Sequence, residues 1–106
     1  MPKYLVKARY TTEGAKGLVR EGGSGRREAV QKTLKSVGGK LEAFYYAFGG
    51  VDAYIVFDVP DNASAAAVSL AANQSGAIAS KTIVLLTAEE MDTAAKKKVS
   101  FRSPGH

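Results

Sequence analysis

Residues 38–64 read GGKLEAFYYAFGGVDAYIVFDVPDNAS, and this stretch decides the architecture. Two apolar and aromatic runs of strand length, 40–48 and 51–59, are separated by Gly49-Gly50, a pair that tolerates the backbone reversal a hairpin needs. Pro60-Asp61-Asn62 then breaks the second run and supplies a cap for the alanine-rich stretch that follows, SAAAVSLAANQSG. Small side chains lose little entropy in a helix and let it lie close to a sheet. The pattern is a hairpin feeding a helix, predicted over residues 61–76.

Towards the N-terminus, KYLVKARY at 3–10 alternates Tyr4, Val6, Ala8 and Tyr10 against Lys3, Leu5, Lys7 and Arg9, the period of two of a strand with one face in a core. Thr11-Thr12 caps a helix beginning near Glu13, with Ala15, Leu18 and Val19 as a short apolar stripe. Gly22-Gly23-Ser24-Gly25 interrupts it, a second helical segment places Val30, Leu34 and Val37 on one face, and Gly38-Gly39 ends it. Towards the C-terminus, KTIVLL at 81–86 is a fourth strand, and Thr87-Ala88-Glu89-Glu90 reads as a capping box opening a short helix that runs to about Lys97. Residues 1–98 are expected to form one domain, with 99–106 as a tail ordered only if something holds it.

The order βαββαβ with right-handed crossovers defines an α+β, ferredoxin-like fold: a four-stranded antiparallel sheet in spatial order 4-1-3-2 with the helices on one face. Those helices cover one face, yet the last three strands are apolar on both. In 51–59, Ala53, Ile55, Phe57 and Val59 share a face while Tyr54 and Val56 lie on the other, between Asp52 and Asp58. Strict alternation in 40–48 sets Leu41, Ala43, Tyr45 and Ala47 against Phe44, Tyr46 and Phe48, and in the fourth strand Ile83 and Leu85 against Val84 and Leu86. A monomer rarely leaves so large an apolar patch in water, and the simplest cover is the same face of a second copy. A homodimer or higher symmetric oligomer is expected.

The chain of 106 residues has no cysteine, and its one histidine is His106, the last residue. Thiolate nucleophiles, disulfides and Cys-based or His-dependent metal sites are thereby set aside, and no metal or organic cofactor is expected. With neither an apolar run of the roughly 20 residues a membrane span needs nor a signal-peptide core, a cytoplasmic protein without membrane contact is expected. The net charge of +5 is segregated: ten Lys or Arg against three acids over 1–40, no basic residue and four acids (Glu42, Asp52, Asp58, Asp61) over 41–80. Such a division suits opposite charges meeting between strands or subunits at least as well as a nucleic-acid groove.

The blocks KYLVKARYTTEGAKGL, GGKLEAFYYAFGGVDAYIVFDVPDNASAAAVSL and KTIVLLTAEEM resemble, in that order, the GYD-domain family of small bacterial and archaeal proteins, over roughly residues 3–92. The resemblance implies a dimeric α+β barrel and no established activity. The Gly-Tyr-Asp tripeptide that names the family corresponds here to Gly50, Val51 and Asp52, so that any role of its ring falls to Tyr45, Tyr46 or Tyr54. Relatives in the wider barrel class include cofactor-free monooxygenases, haem-handling enzymes and isomerases, an analogy of fold alone.

Three polar constellations are candidates for chemistry. On the face away from the helices, antiparallel pairing of the first and third strands brings Arg9 towards Asp52 and Lys3 towards Asp58. Arg9, Tyr46, Asp52 and Tyr54 are the candidate ligand-binding set, lining a pocket between two subunits. The plainer account, cross-strand ion pairs that fix register, carries more weight. The second is Gly23, Ser24, Arg26 and Arg27, where a helix start and two arginines suit an anion, although no phosphate-loop motif is present and a glycine joint with solvated arginines is the simpler account. The third, Lys96-Lys97-Lys98 with Arg102, reads better as a solvated helix end than as a nucleic-acid contact. The resulting expectation is a homo-oligomeric protein binding a small molecule between subunits. The alternative is a cofactor-free isomerase or monooxygenase on an aromatic or lactone substrate, with Asp52 as base and Arg9 holding an oxyanion.

Overall fold

The hairpin is present, and it sits in the sheet as the spacing requires. The computed structural model describes residues 1–106, as β1 (Lys3–Tyr10), α1 (Thr12–Ser36), β2 (Lys40–Tyr46), β3 (Ala53–Asp58), α2 (Asn62–Gln74), β4 (Ile78–Leu85) and α3 (Ala88–Lys96). The strands form one antiparallel sheet in the order β2-β3-β1-β4, the ferredoxin-like arrangement. Both hairpin strands end sooner than their apolar runs. Beyond Tyr46 the ladder is continued by Ala47 N–H donating to Asp52 O at 2.8 Å, and Phe48 stands 98 % exposed at the tip. β4 begins three residues earlier than its β-branched run, because β1 extends alongside it and pairs Tyr10 with Ile78 and Ala8 with Ser80; pairing overrides the weak strand preference of Ala79 and Ser80.

Capping follows the sequence. Thr11 Oγ1 accepts the Gly14 amide at 3.2 Å, Asp61 Oδ1 accepts the Ser64 amide at 2.9 Å, and Thr87 and Glu90 form the reciprocal capping box of α3. The glycine interruption of α1 narrows to one residue, Gly22, at φ 80 and ψ 163. On either side of it the helix packs differently. Its second half buries Leu34 with Val30 and Val37 against it, as their spacing predicts. In its first half the expected stripe gives way: Val19 is 84 % exposed, and the contact is made by Gly14, where a Cβ would sit 1.9 Å from Ala77 O. Contact with backbone, which Gly alone permits, has replaced side-chain packing.

The core lies at the end of the sheet where β1 begins and β3 ends. Tyr4, Leu34, Phe57, Val59 and Ala65 are buried there, Tyr4 stacks on Phe57 with ring centroids 5.5 Å apart, and the Tyr4 phenol bonds Asn62 Oδ1 at the start of α2. Opposite the helices the sheet is bare. α3 buries none of its residues and makes no substantial packing contact with the other elements, so that the molecule extends to 55 × 33 × 22 Å. No helix is long and apolar enough to cross a membrane.

Candidate functional site

Which side chains can meet is decided by a bulge in β2. Leu41 pairs with Phe57 and Ala43 with Val56, so Glu42 is an extra residue with no partner of its own. Side chains alternate with a period of two, and one inserted residue exchanges the faces of everything after it. Leu41 keeps the helix side. Beyond the bulge, Phe44 (opposite Ile55) and Tyr46 (opposite Ala53) take that side as well, while Ala43 and Tyr45 join Val56 and Tyr54 on the bare face. Strict alternation had placed Leu41 with Tyr45 and against Tyr46; the bulge overturns that grouping.

The ligand-binding set of Arg9, Tyr46, Asp52 and Tyr54 is accordingly divided. Arg9 and Tyr54 are exposed on the bare face. Tyr46 lies across the sheet from them, its phenol donating to Gly23 O at 2.9 Å and its ring in edge-on contact with Phe44 at 5.0 Å. Asp52 is half-buried at the mouth of the hairpin: its Oδ2 accepts the Tyr10 amide at 2.8 Å and its own amide donates to Ala8 O at 2.9 Å. It fastens the end of β1 and forms no ion pair with Arg9. Of the two cross-strand pairs expected, Lys3 with Asp58 is formed at 2.9 Å. Lys3 also reaches Glu42 across three strands, a contact that sequence spacing conceals because the bulge turns Glu42 outward. The two carboxylates, Glu42 first, hold the Lys3 ammonium above its usual pKa.

The glycine-arginine set is divided too. Gly23 lies under the Tyr46 ring, with room for no more than a hydrogen on that side, since a Cβ would come within 3.0 Å of the ring. Arg26, one turn beyond the Gly22 break, is half-buried, whereas Ser24 and Arg27 are exposed. Around Arg26 gather Tyr10, from the last position of β1, and Tyr46. Burial above all, with the neighbouring Tyr46 second, pushes the Tyr10 phenol up to about 12. Burial also raises Tyr46, against the lowering effect of the hydrogen bond from Tyr10 and of Arg26. Both phenols keep their protons at neutral pH. They serve as donors and not as bases, and Arg26 adds a positive charge whose nearest carboxylate, Glu21, is 3.8 Å away, beyond hydrogen-bond reach.

Two hollows meet at this group. One, of about 210 Å³, runs between α1, α2 and the sheet, with Val30, Val68, Ala72 and Ile78 among its mainly apolar walls. The other, of about 510 Å³, is a more polar cleft beside the first half of α1. Tyr10, Arg26, Ser75 and Ile78 border both. Tyr10 was legible as a core-facing strand residue but not as part of a site; an aromatic hydroxyl ending a strand on the helix side was the available signal. No three His, Cys, Asp or Glu side chains are grouped in a way that could hold a metal ion.

A ferredoxin-like α+β domain with a bare sheet face and a hollow beneath its helices is the class that these features define. The chain belongs to the GYD domain family, whose model matches residues 4–95. In the structure the tripeptide Gly50-Val51-Asp52 has a mechanical sense: Gly50 adopts φ 129, and Asp52 ties the turn to β1. No curated protein and no solved structure matches the chain.

Proposed function

We propose that the protein is a homodimeric small-molecule-binding protein, closed into an α+β barrel by the apposition of its bare sheet face with that of a second copy. The observation that carries this reading is the uncovered apolar face, on which Leu5, Ala43, Tyr45, Tyr54, Val56, Ile83 and Leu85 fall by register. Four strands about 4.8 Å apart, rising about 3.3 Å per residue, present roughly 400 Å² in plan. Side-chain relief enlarges that area towards the ~800 Å² per partner of a standard interface, and the exposed Met91, Val99 and Phe101 of α3 and the tail supply further apolar surface. The ligand half of the reading is supported by the hollow between helices and sheet. A catalytic reading with Asp52 as base gains nothing from the geometry, since that carboxylate already accepts the Tyr10 amide.

Sedimentation velocity at low micromolar concentration tests the assembly. The wild-type chain is expected at twice its 11.2 kDa mass, and Val56→Lys, at the centre of the bare face, is expected to yield a monomer with unchanged circular dichroism. A wild-type monomer under those conditions sinks the proposal.

A further inference from the structure

We infer that the hollow between α1, α2 and the sheet is a binding site for a small apolar carboxylate, such as a single-ring aryl acid, its ring under α2 and its carboxylate at Arg26 and Tyr10. This deepens the small-molecule reading above and rests on it. Size sets the first limit. A cavity of about 150 Å³ takes benzene, so about 210 Å³ accommodates one ring with a short acidic arm. Wall chemistry sets the second. Twelve of the eighteen lining residues are hydrophobic, and most of the hydroxyls are already engaged within the protein. Thr33 Oγ1 donates to Ala29 O at 3.1 Å, Ser75 Oγ to Ala72 O at 2.6 Å and Ser80 Oγ to Asn73 Oδ1 at 3.1 Å, while Ser69 Oγ accepts from Asn73 Nδ2 at 3.3 Å.

Charge sets the third. Arg26 borders the apolar hollow, its ion pair with Glu21 loose at 3.8 Å and without a hydrogen bond, and a planar guanidinium is the side chain best shaped to hold a carboxylate. Beside it lies the Tyr10 phenol, whose one proton is directed at Tyr46 and turns to a carboxylate that takes the place at Arg26. A cation would be repelled by Arg26, and a neutral ring would leave the guanidinium with Glu21 as its one loose partner. The wider cleft sharing Tyr10, Arg26 and Ser75 provides the route from solvent.

The test is a methyl- and amide-resolved NMR titration of the full chain with phenylacetate, phenylacetamide and phenethylamine at pH 7. Phenylacetate is expected to shift Val30, Val68 and Ile78 saturably and to bind at least tenfold more tightly than the amide, with the amine weakest. Arg26→Gln is expected to reduce the acid to the level of the amide. Ala72→Phe, or Ser69→Leu should the former not fold, fills the hollow and is expected to abolish binding of acid and amide alike. Equal affinity of acid and amide in the wild type, or an acid preference that survives Arg26→Gln, overturns the inference. A fragment screen that places neutral or cationic molecules in the hollow but no carboxylate overturns it and leaves the small-molecule reading standing. A hollow that nothing enters overturns both.

Discussion

Deleting Glu42 tests the claim that one surplus residue sets the faces of β2. Leu41 already opposes Phe57 and Ala43 opposes Val56, so with Glu42 gone the ladder from Lys40 to Tyr46 becomes regular and every remaining side chain keeps its side. Were β2 a strictly alternating strand, the same deletion would throw Phe44 and Tyr46 off the helix side. Two partly covered rings would then forfeit roughly 2 to 3 kcal/mol of apolar burial, and the bond from Tyr46 to Gly23 O about 1 kcal/mol more. The bulge predicts the smaller effect. What the deletion removes is the exposed contact of Glu42 with Lys3, and what it strains is the run back to Gly39, where a Cβ would lie 2.7 Å from Asp58 O. The cost is expected to stay within about 1 kcal/mol, a fall in Tm of no more than roughly 4–8 °C, with Tyr46 still on Gly23. Urea unfolding followed by circular dichroism gives the first quantity, and nuclear Overhauser contacts from the Tyr46 ring to Gly23 give the second. Deleting Tyr45 instead, within the regular part of the ladder, is the contrast: either Phe44 or Tyr46 must then change sides, at roughly 1 to 2 kcal/mol or more. A Glu42 deletion that costs about 3 kcal/mol, or one that leaves the Tyr46 ring beside Tyr54, refutes the reasoning.

Gly14→Ala and Gly17→Ala share a helix and differ in surroundings: Ala77 O blocks a Cβ at Gly14, whereas at Gly17 the nearest atom is the Arg20 side chain at 3.9 Å. The first is expected to destabilise by about 1–3 kcal/mol and the second to stabilise by roughly 0.5–1 kcal/mol, both read by chemical denaturation. Spectrophotometric titration should show Tyr10 ionising at about 12, and Tyr46→Phe should bring it down. Because the folded chain holds that proton more firmly than the unfolded one, stability falls as pH rises from 10 towards 12, and more shallowly in the variant. Asp61 is held below its ordinary 3.8, chiefly by the Ser64 hydroxyl and then by its amide. Its contribution is therefore present above 3.8 and lost as the pH falls through the lower folded value. Asp61→Ala should depress the urea midpoint at pH 7 and depress it progressively less in acid.

Burial patterns made the strand order and the capping of all three helices readable, because each depends on neighbours in sequence: Thr11, Asp61 and Thr87 act on residues three positions on. The Lys3–Asp58 pair was readable as well, since antiparallel pairing of β1 with β3 fixes it. What escaped depends on contacts between distant segments. The Glu42 bulge leaves no mark in an apolar run whose alternation is equally regular in either phase. Tyr46 was placed on the wrong face for that reason alone. The helix stripe of Ala15, Leu18 and Val19 failed because Gly14 meets a carbonyl more than sixty residues away, where a missing side chain is the adhesive. Arg26 was picked out for its charge, but its apolar surroundings come from α2 and β4, to which its own segment gives no pointer.

The single break at Gly22 gives the helix layer two independently anchored arms. The first is clamped where Gly14 meets the 77th carbonyl, and the second is rooted through Leu34 in the aromatic core. Between them the joint is held one residue on by a single bond, the Tyr46 phenol on Gly23 O at 2.9 Å, and Arg26 beside the hollow is one turn from that joint. On the small-molecule reading proposed above, the neighbourhood of that one glycine is where the layer can yield to a guest while both anchors hold, so that entry need not wait on global unfolding.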